Sequence, residues 1–172
     1  MASVIFLRAV NVGGANRCQP ALIARELARF DIVNIGAVGT FVVRKNVAES
    51  VLRAAISKKL PFKCDIMICP ARDIIRLASR DPFSQQPSGP DITHFVSVAA
   101  KPLRLPFSLP LNLPSDDDWL LKVFAVQDRF VLGLYRREMK AIGYLGKIEK
   151  HLGVAVTTRS WTTMAKVMKL LD

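Results

Sequence analysis

Histidine and cysteine are scarce in this chain of 172 residues: two histidines, His94 and His151, and three cysteines, Cys18, Cys64 and Cys69. There is no HExxH and no paired CxxC, so neither a structural nor a catalytic zinc site is expected. The two histidines form no triad with serine or cysteine that spacing supports, and no catalytic constellation is evident. A Walker A loop and a GxGxxG turn are also missing, which removes the common nucleotide-loop signatures. No apolar run approaches the ~20 residues that span a bilayer. The first charge, Arg8, follows the opening apolar segment, the reverse of a secretory signal. The expectation is a cytoplasmic protein with no cofactor, no metal and no membrane partner.

Acidic residues are in deficit as well. Fourteen Asp and Glu stand against 25 Lys and Arg, a net charge of +11. A field of that sign favours nucleic acid or phosphorylated ligands. The charges are nevertheless dispersed, with no like-charge block and no arginine-rich arm.

What is present is enough apolar material for a core: 51% of residues are hydrophobic. SVIFLRAVN (3–11) is apolar at both parities apart from Arg8, the pattern of a strand covered on both faces. Pro20 opens an amphipathic helix, PALIARELARF, with Ile23, Leu27 and Phe30 on one face. Two short strands, DIVNIGAV and GTFVVRK, precede a helix, AESVLRAAISKKL, expected to turn Val51, Leu52, Ala55, Ile56 and Leu60 inward. CDIMIC closes this half as a strand on which Cys64 and Cys69, five apart, face opposite ways as reduced core thiols. The order β-α-β-β-α-β is that of the ferredoxin-like (α/β) plait.

Beyond Pro70 come a helix, ARDIIRLASR, and the turn-rich link DPFSQQPSGPD, the best boundary in the chain. After the strand ITHFVSVAA, prolines 102, 106, 110 and 114 recur every fourth residue. That spacing forbids a helix or a central strand. An extended lap over an apolar surface fits better than a free ligand for a proline-reading partner, because leucines alternate through it. DDWLLKVFAVQ and RFVLGLYR form a hairpin around Gln127 and Asp128. GKIEKHLG is a short helix stopped by Gly153, and Ser160 caps a final helix, WTTMAKVMKLL. The fold class is therefore α+β: two ferredoxin-like subdomains packed together, residues 1–70 and 71–172, the second with a Pro-rich extended segment at 102–114.

Two stretches offer anion chemistry. In LRAVNVGGANR, a strand end meets Gly13, Gly14, Asn16 and Arg17 just before a helix start, with Arg8 close by in sequence. Free N–H groups and two guanidinium groups there suit a phosphate or carboxylate. The alternative is a tight corner in which glycine permits positive φ. In AVTTRSW, Thr157, Thr158, Arg159 and Ser160 crowd the start of the last helix, as an anion site or as an ordinary cap beside a solvated arginine. VGTFVVRKN weakly echoes an RNA-recognition strand, but Phe41 stands among valines and that face should be covered.

These stretches resemble the DUF1697 family of bacterial proteins of unknown function. LRAVNVGGANR is similar to the family's LRGxNVGG, with Ala9 in place of glycine. IGAVGTFVVRKN occupies the place of QSGNVVF and keeps Gly39. KIEKHLGVAVTTRSWTT is similar to LGVxxTTRNWNT, with Ser160 and Thr162 in place of two asparagines. The resemblance implies paired α/β-plait subdomains and no established activity. It also implies a shared cleft between them, formed by Arg8, Asn11, Gly13, Gly14, Asn16, Arg17 and Gly39 from one side. Thr157, Thr158, Arg159 and Trp161 are its other side. The expected function is binding of a phosphate-bearing ligand, a nucleotide-like molecule or nucleic acid. The alternatives are an enzyme acting on a phosphorylated or acyl substrate, or a protein-interaction module.

Overall fold

Val4, Ile5, Phe6 and Leu7 are all fully buried in the first strand, β1 (Ser3–Leu7), as a run apolar at both parities requires. The computed structural model describes residues 1–172. Its contacts fall into two units, one of residues 1–80 with 165–172, the other of residues 81–164. The break lies at the start of the turn-rich link, not at residue 70. α3 (Ala71–Ser79) follows directly on β4 (Ile66–Pro70) and stays with that strand.

The first unit continues through α1 (Pro20–Glu26), a 3₁₀ turn (Ala28–Phe30), β2 (Ile32–Ile35), β3 (Thr40–Val43) and α2 (Glu49–Lys59) before β4. Its sheet has the order β2-β3-β1-β4 with every neighbouring pair antiparallel. Ile5, Leu7, Phe41 and Ile68 from one face of the sheet join Ile23, Leu27, Leu52 and Ile56 in one core. Val4, Phe6, Val42 and Cys69 are buried too, so both faces of this sheet are apolar.

Several expectations are corrected here. β1 ends at Leu7, not Asn11, because Ala9 and Asn11 take left-handed φ of 56° and 54° that no strand accepts. Val51 is 48% exposed: it lies one residue, about 100° of helix, off the inward stripe of Leu52, Ala55 and Ile56. Cys64 precedes β4 and is half-buried, while Cys69 is buried within it; none of the three cysteines is in a disulfide.

The second unit runs β5 (Ile92–Ala99), β6 (Leu111–Leu113), β7 (Leu121–Gln127), β8 (Phe130–Arg136), α4 (Met139–Gly146), α5 (Ile148–Leu152) and β9 (Val156–Ser160). It includes the start of α6 (Trp161–Leu171). Its antiparallel sheet is ordered β6-β7-β8-β5-β9. Without the edge strand β6, the order β7-β8-β5-β9 repeats that of the first sheet, and the Pro-rich lap stands where the first unit has α1. Leu103, Leu105 and Phe107 pack on the core of this unit, while Arg104, Pro106 and Ser108 between them are exposed. The alternation is that of an extended segment with one dry side. Asp128, at φ 55°, turns the β7–β8 hairpin. Gly153, at φ 73°, ends α5 with its N–H on the Glu149 carbonyl at 2.8 Å. Thr163 N–H bonds Ser160 Oγ at 3.2 Å, the expected cap of α6. No helix is long and apolar enough to cross a membrane.

The lap generates a test by alternation. Leu105→Ser should lower stability by about 1–2 kcal/mol, from lost apolar burial. Arg104→Ser should change it by no more than about 0.5 kcal/mol. Urea denaturation of the two variants separates a packed lap from a loose one, which would give equal, small effects.

Candidate functional site

β1 is held at its exit by two main-chain bonds. Leu7 N–H donates to the Gly39 carbonyl at 2.8 Å, and Arg8 N–H to the Asp65 carbonyl at 3.0 Å. Gly39 has φ 83°, and a Cβ there would lie 2.6 Å from Leu7 Cβ. Only glycine fits beneath Leu7. Gly39 thus acts by letting two strands close up.

The loop that follows is tied to itself. The Asn11 carboxamide donates to the carbonyls of Cys18 (3.0 Å) and Ala37 (2.6 Å) and accepts from Cys18 N–H (3.0 Å). Asn11 N–H bonds the Asn16 carbonyl at 3.1 Å, and Asn16 Nδ2 reaches back to the Ala9 carbonyl at 3.2 Å. Gly13 and Gly14, at φ 61° and 76°, are the central pair of a two-residue turn closed by Ala15 N–H on the Val12 carbonyl at 3.2 Å. Positive φ at both central positions is the type I′ signature. Arg17 Nε donates to the Gly14 carbonyl at 3.2 Å. The glycine pair is a corner.

Beside that corner lies an open depression of about 270 Å³ lined by Arg8, Ala9, Asn16, Lys63, Cys64 and Asp65. Arg8 and Asn16 were expected there. Lys63, Cys64 and Asp65 were not, although the register carries the signal: Leu7 pairs with Ile66 across β1 and β4, so the next residues outward are Arg8 and Asp65. Arg8 Nη1 and Asp65 Oδ2 are 3.6 Å apart, with the guanidinium side chain one-third exposed at 34%. Burial pushes the Cys64 thiol above its ordinary value. An Arg8 main-chain hydrogen bond opposes that shift, and the Asp65 charge and Cys18 add to it. Burial pushes Cys18 the same way. Both are thus poorer nucleophiles at neutral pH than a free thiol.

The other motif belongs to the second unit, on β9. Thr158 Oγ1 and Ser97 Oγ are 2.6 Å apart across the β5–β9 pair. Arg159 is 6% exposed, the one charged side chain buried in the chain, so the reading of a solvated arginine is corrected. Its Nη1 donates to Thr157 Oγ1 at 2.8 Å and to the Thr158 carbonyl at 2.9 Å. Burial draws its pKa down to about 10. The guanidinium stays charged at neutral pH, held by oxygen acceptors of its own strand. Trp161 joins an aromatic cluster: its ring centroid lies 4.9 Å from that of Phe83, which stacks on His94 at 4.5 Å. Phe41 is fully buried, so the echo of an RNA-reading strand carries no exposed aromatic.

Gly39→Ala should cost about 3 kcal/mol, from left-handed strain plus collision with Leu7. Gly13→Ala has open space around its Cβ and should cost about 1 kcal/mol. Thermal melts of both distinguish the packing glycine from the turn glycine. For the thiols, iodoacetamide labelling of Cys18 and Cys64 should still be accelerating above pH 9, with Cys69 protected until the chain unfolds. Labelling that levels off near neutral pH would contradict the raised values.

No curated protein matches the chain. Among solved structures, it is similar to a conserved bacterial protein from Streptococcus pneumoniae, with a TM-score of 0.64 and 13% sequence identity over 99% of this chain and 98% of that one. At that identity the likeness is one of fold. Residues 1–108 match the model of the protein family of unknown function DUF1697, a span that includes the glycine corner and Gly39. The chain belongs to the DUF1697 family.

Proposed function

We propose that this protein binds a phosphate-bearing ligand in the depression beside the glycine corner. The observation that carries the reading is the convergence of Arg8, Lys63 and the Asn16 carboxamide on one open space of about 270 Å³. A guanidinium, an ammonium and an amide are complementary to a phosphate and to the polar group attached to it. Asp65, paired with Arg8, lowers the net positive charge of the site and sets a threshold against weakly charged anions. The chain's charge of +11 adds a general attraction for nucleotides and nucleic acid. An enzyme is less well supported: Cys64 lines the depression, but its thiol is held toward the protonated form. We also read both units as ferredoxin-like plaits, on the strength of the repeated strand order. Three cysteines without a disulfide accord with a reducing, cytoplasmic setting.

Calorimetric titration with nucleoside monophosphates and with short oligonucleotides tests the reading. Arg8→Gln should weaken binding about 10- to 100-fold, the worth of a charge-assisted hydrogen bond. Asp65→Asn should strengthen it. A bound phosphate ligand should also slow alkylation of Cys64 but not of Cys18. Absence of any binding across both panels, or equal affinity of wild type and Arg8→Gln, overturns it.

A further inference from the structure

On the helical side of the first unit, an open groove of about 330 Å³ is lined by Arg29, Ser50, Val51, Ala54, Ala55 and Lys58. Its lining is small and mostly apolar: Val51 is 48% exposed on the outer side of α2, beside Ala54 and Ala55. An exposed valine off the inward stripe has no use in this unit's core. The charges around the groove are arranged unequally. Arg44 pairs with Asp31, Arg53 with Glu49 and Lys59 with Glu26, at 4.0, 2.7 and 3.2 Å. Arg29 and Lys58, the two cations that edge the groove, have no carboxylate partner. Arg29 lies over the Phe30 ring at 4.6 Å, and its carbonyl accepts from Lys45 Nζ at 2.7 Å.

We propose that this groove docks an acidic amphipathic helix of a partner protein. The partner's carboxylates would face Arg29 and Lys58, and an apolar side chain would rest on Val51 and Ala54. The small residues of α2 let another backbone approach closely, and the unpaired cations fix the sign of what comes near. A second copy of this chain is a poor occupant, since it would bring cations against cations on a surface already at +11. Nucleic acid is a poor one as well, because its phosphates have nothing to place on the valine and alanine methyl groups.

The test uses the full chain and two labelled synthetic helices, each with a leucine stripe, one flanked by glutamates and one by lysines. The glutamate peptide should bind in fluorescence anisotropy and shift the amide resonances of Arg29, Val51 and Lys58. Val51→Asp should weaken it at least about tenfold. The charge reversal Arg29→Glu with Lys58→Glu should abolish that binding and confer binding of the lysine peptide, a gain that misfolding cannot produce. All three side chains are exposed, so melting temperatures should hold. The proposal is overturned if the glutamate peptide fails to bind, or if it binds the reversed variant equally well. It is also overturned if sedimentation shows self-association that Val51→Asp removes, or if oligonucleotides displace the peptide from the same residues.

Discussion

The approach of Leu7 to Gly39 is the contact on which the first unit depends. A Cβ at residue 39 would lie 2.6 Å from that of Leu7, so the β1–β3 pairing closes only because one side chain is missing. With Leu7 seated and its N–H on the Gly39 carbonyl, β1 must end there, and the next residue leaves the sheet. Arg8 is then caught by the Asp65 carbonyl at the mouth of β4, and its side chain is placed at the rim of the depression. The chemistry of the rim follows from the packing one residue before it.

The loop from Arg8 to Cys18 is tied together by polar side chains. Exposed loops usually leave their amides to water; here Asn11 bridges Cys18 and Ala37, and Asn16 closes the return to Ala9. Those bonds hold Ala9, Asn11 and Asn16 in left-handed conformations that cost about 1–2 kcal/mol each when unsupported. Arg159 shows the opposite economy. A buried cation is tolerated because hydroxyl and carbonyl oxygens of its own strand replace water around it.

How far the sequence could be read depended on whether an element declares itself locally. The two-sided apolar run of β1, the stripe of α2, the Gly153 stop and the Ser160 cap are each written within a few residues; the stop and the cap are found as read, while β1 ends at Leu7 and Val51 falls off the stripe. The Pro-rich lap was legible because four prolines exclude the alternatives and the leucines between them need a surface. α4 was not: its inward stripe of Ala141, Tyr144 and Leu145 is short and only partly buried, while Met139 and Ile142 face outward and blur the pattern. Lys63 and Asp65 were missed because their place depends on the β1–β4 register, a pairing of residues nearly sixty positions apart. Arg159 misled for a related reason, since burial of a charge is decided by neighbours in space.

One consequence concerns the order in which the chain can be completed. The second unit is a single continuous stretch, whereas the first gathers residues 1–80 and the end of α6, 165–172. During synthesis the second unit has all its residues once position 164 has left the ribosome. The first has its sheet and the core of Ile5, Phe41, Ile56 and Ile68 within residues 1–80, but gains its last segment only when residues 165–172 emerge. The half that is made first is thus the half that is completed last.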